Sequence, residues 1–273
     1  MTEPAGEVAA SVVADAEQSA DAADERAGIR TRPAHPDELD GVLARFGATW
    51  GAGRGPDRAM VQALDHAGNT VLVAVPLPST GSGTGTPLGA TLGFLGWAGG
   101  LHLHSHMNAV DPAARGRGIG VALKLRQRAV CLAHGVTEMR WTYDPLIRRN
   151  ARMNLVRLGA EVTAFLPDFY GELGDAITGA DRSDRFEVRW RLDSPRSTRA
   201  LARGPVPAWR AEGGLPLVAD YERVRMEDPR VAARLRDASR DAFAALSRDP
   251  GLRVELDADG DYVLTRDDAD REP

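Results

Sequence analysis

Six consecutive residues, Arg115-Gly116-Arg117-Gly118-Ile119-Gly120, carry the densest chemical signal in this 273-residue chain. Glycines let successive backbone N–H groups converge, because they adopt conformations that other residues avoid. A helix that starts there adds its own unpaired N–H groups and the positive end of its dipole. The combination suits a phosphate or pyrophosphate, with Arg115 and Arg117 adding cationic charge. A second pattern lies just before it. His102, His104 and His106 alternate, which places three imidazoles on one face of a strand. Histidine, with an ordinary pKa near ~6.5, is suited to proton transfer at neutral pH. The single cysteine, Cys131, falls inside an expected helix and reads as packing.

The elements around these residues decide what the glycines mean. His102 to Val110 alternates as a strand, Asp111-Pro112 ends it, and the glycine turn follows. Gly120 to His134 reads as a helix with Val121, Leu125, Ala129 and Leu132 inward and Gly135 as its stop. Upstream, a strand is expected at 29–32 and helices after Pro36 and over 56–66, the latter with Met60, Val61 and Leu64 inward. A hairpin of 70–75 and 88–97 follows, joined by a flexible Gly/Ser/Thr loop at 79–87. Downstream come a strand at 137–143, a short helix at 149–158 and strands at 160–166 and 186–192. A P-loop needs Gly-Lys-Ser/Thr, and the chain has no such triplet. A Rossmann fingerprint needs glycine where Val121 stands and would follow the first strand of the fold.

The spacing Arg115-x-x-Gly118-x-Gly120, within Val110 to Gly120, resembles the cofactor segment of the GNAT superfamily of N-acetyltransferases. The resemblance spans about 28–192. It implies an α/β fold: a GNAT-like mixed, mostly antiparallel sheet flanked by helices. It implies acetyl-CoA or another acyl-CoA as donor, direct transfer to an amine, and no metal. Residues Arg115 to Gly120 would hold the pyrophosphate, and Asn108, Ala109 and Val110 the acyl end beside an oxyanion-stabilising backbone N–H. Asn150, in Asn150 to Ala160, matches the asparagine that helps hold the pantetheine arm, and it also suits a helix N-cap. Many members carry a tyrosine four residues before the glycine matching Gly159, where this chain has Leu155. Tyr143 and Tyr170 are the nearest phenols, and Tyr170 is the candidate general acid or else a cap on the strand hairpin. His106 and Asp144 are the candidate bases. Pro167 to Gly171 is similar to a subgroup with a C-terminal extension.

Residues 1–27 hold seven acids against Arg26 alone and few large apolar side chains, so disorder, with at most a frayed helix, is expected there. The expected domain covers 28–193. Residues 194–273 read as a Pro/Gly/Arg-rich linker to 216 followed by a small α+β extension. That extension has a helix over 229–247 burying Val231, Leu235, Ala238, Ala242 and Leu246, and strands at 252–257 and 261–266. The extension is expected to pack on the main domain or in a dimer interface. The Arg clusters at 182–203 are interleaved with acids, which argues against nucleic acid. The apolar runs are too short for a membrane helix. One cysteine and no leader pattern point to a cytoplasmic monomer or homodimer acting on a small-molecule or peptide amine. Two alternatives stand beside this: a non-catalytic acyl-CoA-binding regulator, and a metal-dependent enzyme using the histidine strand.

Overall fold

The computed structural model describes residues 8–77, 87–174 and 181–271, so the loop expected at 79–87 lies outside the described residues except for Pro87. The fold is mixed α/β, with mostly antiparallel strands flanked by helices. The chain forms two compact units, Met1–Met139 and Arg140–Pro273. The division expected at 193/194 therefore falls inside the second unit. No helix among the described residues is long and apolar enough to cross a membrane.

The first unit begins with α1 (Ala10–Ala27), where disorder was expected. Ala16, Ala20, Ala23 and Ala27 form a buried stripe at helical spacing. Small side chains let two helix backbones approach closely, so little apolar bulk is needed. The acidic face of α1 is matched by two arginines of the helix it packs on: Arg128 lies 3.6 Å from Asp15, and Arg126 takes three acids. Arg126 donates to Glu17 (2.6 Å), Asp21 (2.6 Å) and Asp24 (3.3 Å).

Strands β1 (Ile29–Pro33), β2 (Thr70–Pro76), β3 (Gly89–Gly96) and β4 (His102–Val110) pair in that order, each antiparallel to the next. Helices α2 (Leu39–Trp50) and α3 (Arg58–His66) cover one face. Leu39, Val42, Phe46 and Val61 pack there with Val71, Val73, Leu92 and Met107. Met60, expected inward, is exposed. It lies in the first turn of α3, about 100° round the helix from the buried Val61. Helix α4 (Ile119–Ala133) covers the other face. A side chain at Gly93 would collide with Thr70, Gln127 and Leu103, so glycine in β3 is what lets α4 approach. There Gln127 bridges Ser105 Oγ (2.6 Å) and Thr70 Oγ1 (2.8 Å).

In the second unit, β5 (Glu138–Tyr143), β7 (Arg185–Arg191) and β6 (Glu161–Leu166) lie in that order. A short helix α5 (Arg148–Ala151) runs into a π-helical turn, Arg152–Arg157. The expected linker holds a helix, α6 (Pro195–Leu201), capped by the Ser194 side chain. Helices α7 (Tyr221–Glu227) and α8 (Pro229–Phe243) follow. Strands β8 (Gly213–Leu215), β10 (Tyr262–Thr265) and β9 (Arg253–Leu256) make a second antiparallel sheet. Tyr143, Phe186, Phe243 and Tyr262 form one aromatic core, so residues 194–271 pack directly on 140–193. The buried stripe of α8 is Ala232, Arg236, Ser239 and Phe243, one residue beyond the expected one.

Candidate active site

Asp111 closes β4 and shapes the turn that follows. Its carboxylate accepts from Ala113 N (2.9 Å) and from Arg45 Nη2 (2.8 Å). The Ala113 N–H, then the Arg45 guanidinium, hold the Asp111 carboxyl below its ordinary range. A single 3-10 turn, Pro112–Ala114, leads into the glycines. Gly116 (φ 82°) and Gly118 (φ 92°) are both left-handed, a conformation that costs other residues about 1–3 kcal/mol. A Cβ built on either would meet nothing within 4 Å, so open space lies beside this backbone. Gly118 is also the N-cap of α4 and supplies no side-chain acceptor. Arg115 N donates back to Pro112 O. Among the described residues, backbone donation to the protein resumes only with Val121 and Ala122, both to Gly118 O. The amides from Gly116 to Gly120 thus stand available at a helix N-terminus, which is the arrangement that binds phosphates.

The two arginines of the turn differ. Arg117 donates to Ala27 O at 2.7 Å, the last carbonyl of α1, and is tied down. Arg115 is exposed. Asn108 joins strand to helix, its Nδ2 donating to Gly120 O at 3.0 Å. Its Oδ1 is buried with no partner. Ala109 is buried against the α2 face, and Val110 is half-buried at the strand end. Ile119 is buried, anchoring the first turn of α4.

The histidines share a strand but not a role. Register shifts at Leu92/Gly93, where β3 pairs Leu92 with Met107 but Gly93 with Ser105. The extra residue is His106, and such bulges re-aim side chains. His104 and His106 sit 5.8 Å apart, and Phe94 lies 5.2 Å and 5.7 Å from them. His102 is buried and bonded through Nδ1 to Gly100 O (2.8 Å). Burial, with His106 as a neighbour, lowers His104 to about 4, and desolvation lowers His106 as well. Both rings are therefore unprotonated at neutral pH. Among the described residues no three His, Cys, Asp or Glu side chains group so as to hold a metal ion.

The remaining predicted residues lie in the second unit. Asp144 is clamped by Arg236, which donates to both its oxygens at 2.8 Å and to Asp181 at 2.7 Å. Leu146 N also donates to Asp144, at 3.0 Å. A carboxylate so occupied has little capacity to accept a substrate proton. Tyr143 is buried, its hydroxyl 3.1 Å from that of Tyr262. Tyr170 is exposed, its hydroxyl 3.1 Å from Thr142 Oγ1 and its ring 5.4 Å from the Arg185 guanidinium. The turn carrying it is pinned by Ser183, whose Oγ accepts from Tyr170 N at 3.0 Å. Asn150 is not an N-cap, because that position is Ile147. It lies within α5, half-exposed, and its side-chain amide bonds to no described residue.

No protein-family model matches the chain, and no curated protein matches it. Solved structures do align. Ard1 from Thermoplasma volcanium is 17% identical, covering 59% of this chain and 96% of its own, with a TM-score of 0.43. Naa50 from Arabidopsis thaliana, in complex with the bisubstrate analogue CoA-Ac-MVNAL, is 15% identical over 59% and 97%, with a TM-score of 0.46. The ribosomal-protein-S18-alanine N-acetyltransferase from Escherichia coli is 12% identical over 60% and 94%, with a TM-score of 0.47.

Proposed function

We propose that this chain is a GNAT-type N-acyltransferase that takes its acyl group from acetyl-CoA or another acyl-CoA. The carrying observation is the pair of left-handed glycines that open into unfilled space at the start of α4. Their amides, with those of Arg117, Ile119 and Gly120, would hold a pyrophosphate, and exposed Arg115 would add its charge. The end of β4, from Asn108 to Val110, would line the rest on this unit, and the part of Asn150, in the second unit, is carried over from the family resemblance alone. When bound, the donor supplies an acyl group activated as a thioester.

The protein's share is positioning and proton handling. His106, unprotonated and exposed, takes the amine proton at a ring nitrogen. Asp144, committed to Arg236, leaves that task to histidine. As the N–C bond forms and the C–S bond breaks, the leaving sulfur needs a proton. Tyr170 is the exposed phenol suited to give it, since Tyr143 is buried and Leu155 has none. A cytoplasmic setting and a small-molecule or peptide amine as acceptor belong to the same proposal.

The buried Leu155 also favours a second reading, an acyl-CoA-binding regulator without turnover. Calorimetric titration with acetyl-CoA separates the cases when paired with an acceptor screen. Saturable binding that Gly118→Trp weakens by at least about tenfold is expected, from strain at positive φ together with a filled cradle. Absence of binding at millimolar acetyl-CoA would overturn both readings, and binding without turnover would leave the regulator.

A further inference from the structure

From His66 through Val110 the chain contains no Asp, Glu, Lys or Arg, although 27% of its residues are charged. Strands β2, β3 and β4 all lie in this run, and so does the face bearing Phe94, His104 and His106. That face is not sealed. Phe94 is half-buried and His106 exposed, and the turn joining the two strands leaves Trp97 76% exposed. The cores under β2 and β3 are filled by α2 and α3, but those helices pack on Val71, Val73, Ala90 and Leu92, short of Phe94.

Such a surface offers ring contacts and dispersion, with both imidazoles neutral. Aromatic pairs contribute about 0.5–1.5 kcal/mol beyond the area they bury. Strands β2 to β4 bring no carboxylate to a second or third ammonium group, and the charged side chain that His104 senses, Lys124, is itself a cation, so such a group would lose water here without compensation. We propose that the acceptor is an aromatic monoamine whose ring packs against Phe94 and the two imidazoles, not a polyamine, aminoglycoside or lysine-rich peptide. This rests on the acyltransferase reading and narrows it. The amine loses its one charge when it becomes nucleophilic, so nothing charged has to be held on this face.

The test uses tryptamine and spermidine as probes, each titrated calorimetrically into the full chain with and without saturating CoA. Wild type, Phe94→Tyr and Phe94→Ala are compared, and the CoA affinity of each variant reports that it is folded. The expected result is saturable tryptamine binding, kept by Phe94→Tyr and weakened about tenfold by Phe94→Ala, with CoA affinity unchanged within about twofold. Intact CoA binding with no tryptamine binding overturns the inference alone. So does spermidine binding more tightly than tryptamine, or tryptamine binding indifferent to Phe94→Ala. Loss of CoA binding by the wild type instead overturns the acyltransferase reading on which the inference stands.

Discussion

His104 ties the site to acid stability. Its folded-state pKa is lowered from 6.5 to about 4, chiefly by burial. Between those values the unfolded chain binds a proton that the folded chain does not. The stability gained by keeping the ring neutral is thus fully present above pH 6.5 and is lost as pH falls towards 4. One group contributes at most about 1.4 kcal/mol per pH unit. Urea midpoints taken from pH 7 to 4.5 are expected to fall less steeply in His104→Phe than in wild type. Equal slopes would show that the imidazole is as well solvated folded as unfolded. At this scale the sequence showed which residues could act but not which were already engaged. Asp144 and His106 were equal candidate bases, and only Arg236, ninety-two residues from Asp144, separates them. No local pattern announces so distant a partner. Arg117 is the same case, since its bond to Ala27 O spans ninety residues.

Among the elements, α1 shows most clearly how composition misleads. A segment rich in Ala, Asp and Glu lacks the apolar bulk that ordering usually requires. Yet Ala16, Ala20, Ala23 and Ala27 repeat at spacings of four and three, which is a helix-packing stripe, and the acids face two guanidinium groups, Arg126 and Arg128. Arg126→Gln is expected to loosen α1 by about 1–2 kcal/mol. Hydrogen exchange over residues 10–27 would then quicken while the strands stay protected. Added salt should act in the same direction on the wild type, because Glu17 and Asp21 are exposed. Unchanged exchange in the variant would mean that the alanine stripe, with the Thr31–Asp24 and Arg128–Asp15 contacts, holds the helix without Arg126. The strands were legible, because hydrophobic alternation marks them: β4 runs over the expected 102–110. The bulge at Leu92/Gly93 was not, since a one-residue register change leaves no signature in composition. Helix α8 was found but turned by one residue, because its inward position is the charged Arg236 and not Leu235.

Taken whole, the chain divides after Met139, where the glycine turn and its histidine strand fall on one side and Asn150 and Tyr170 on the other. Deleting 194–273 is expected to unfold 140–193. Asp144 would lose Arg236, Gly159 O and Ala160 O would lose Arg196, and Tyr143 and Phe186 would lose Tyr262 and Phe243. Leaving one partner of a buried pair uncompensated costs about 3–5 kcal/mol. Loss of soluble expression, or of cooperative urea unfolding in the second unit, checks this. A truncated chain that keeps a cooperative transition there would show that the C-terminal segment is dispensable.

Lys124 is the only lysine in the sequence, and it is buried in α4, where desolvation lowers its ammonium well below the ordinary value. Cys131, the only thiol, is buried in the same helix and raised to about 12. The folded surface therefore presents neither a lysine amine nor a reactive sulfur to an activated ester. Incubation with radiolabelled donor should leave these two side chains unlabelled, so an acceptor assay starts from a background free of self-modification at either of them.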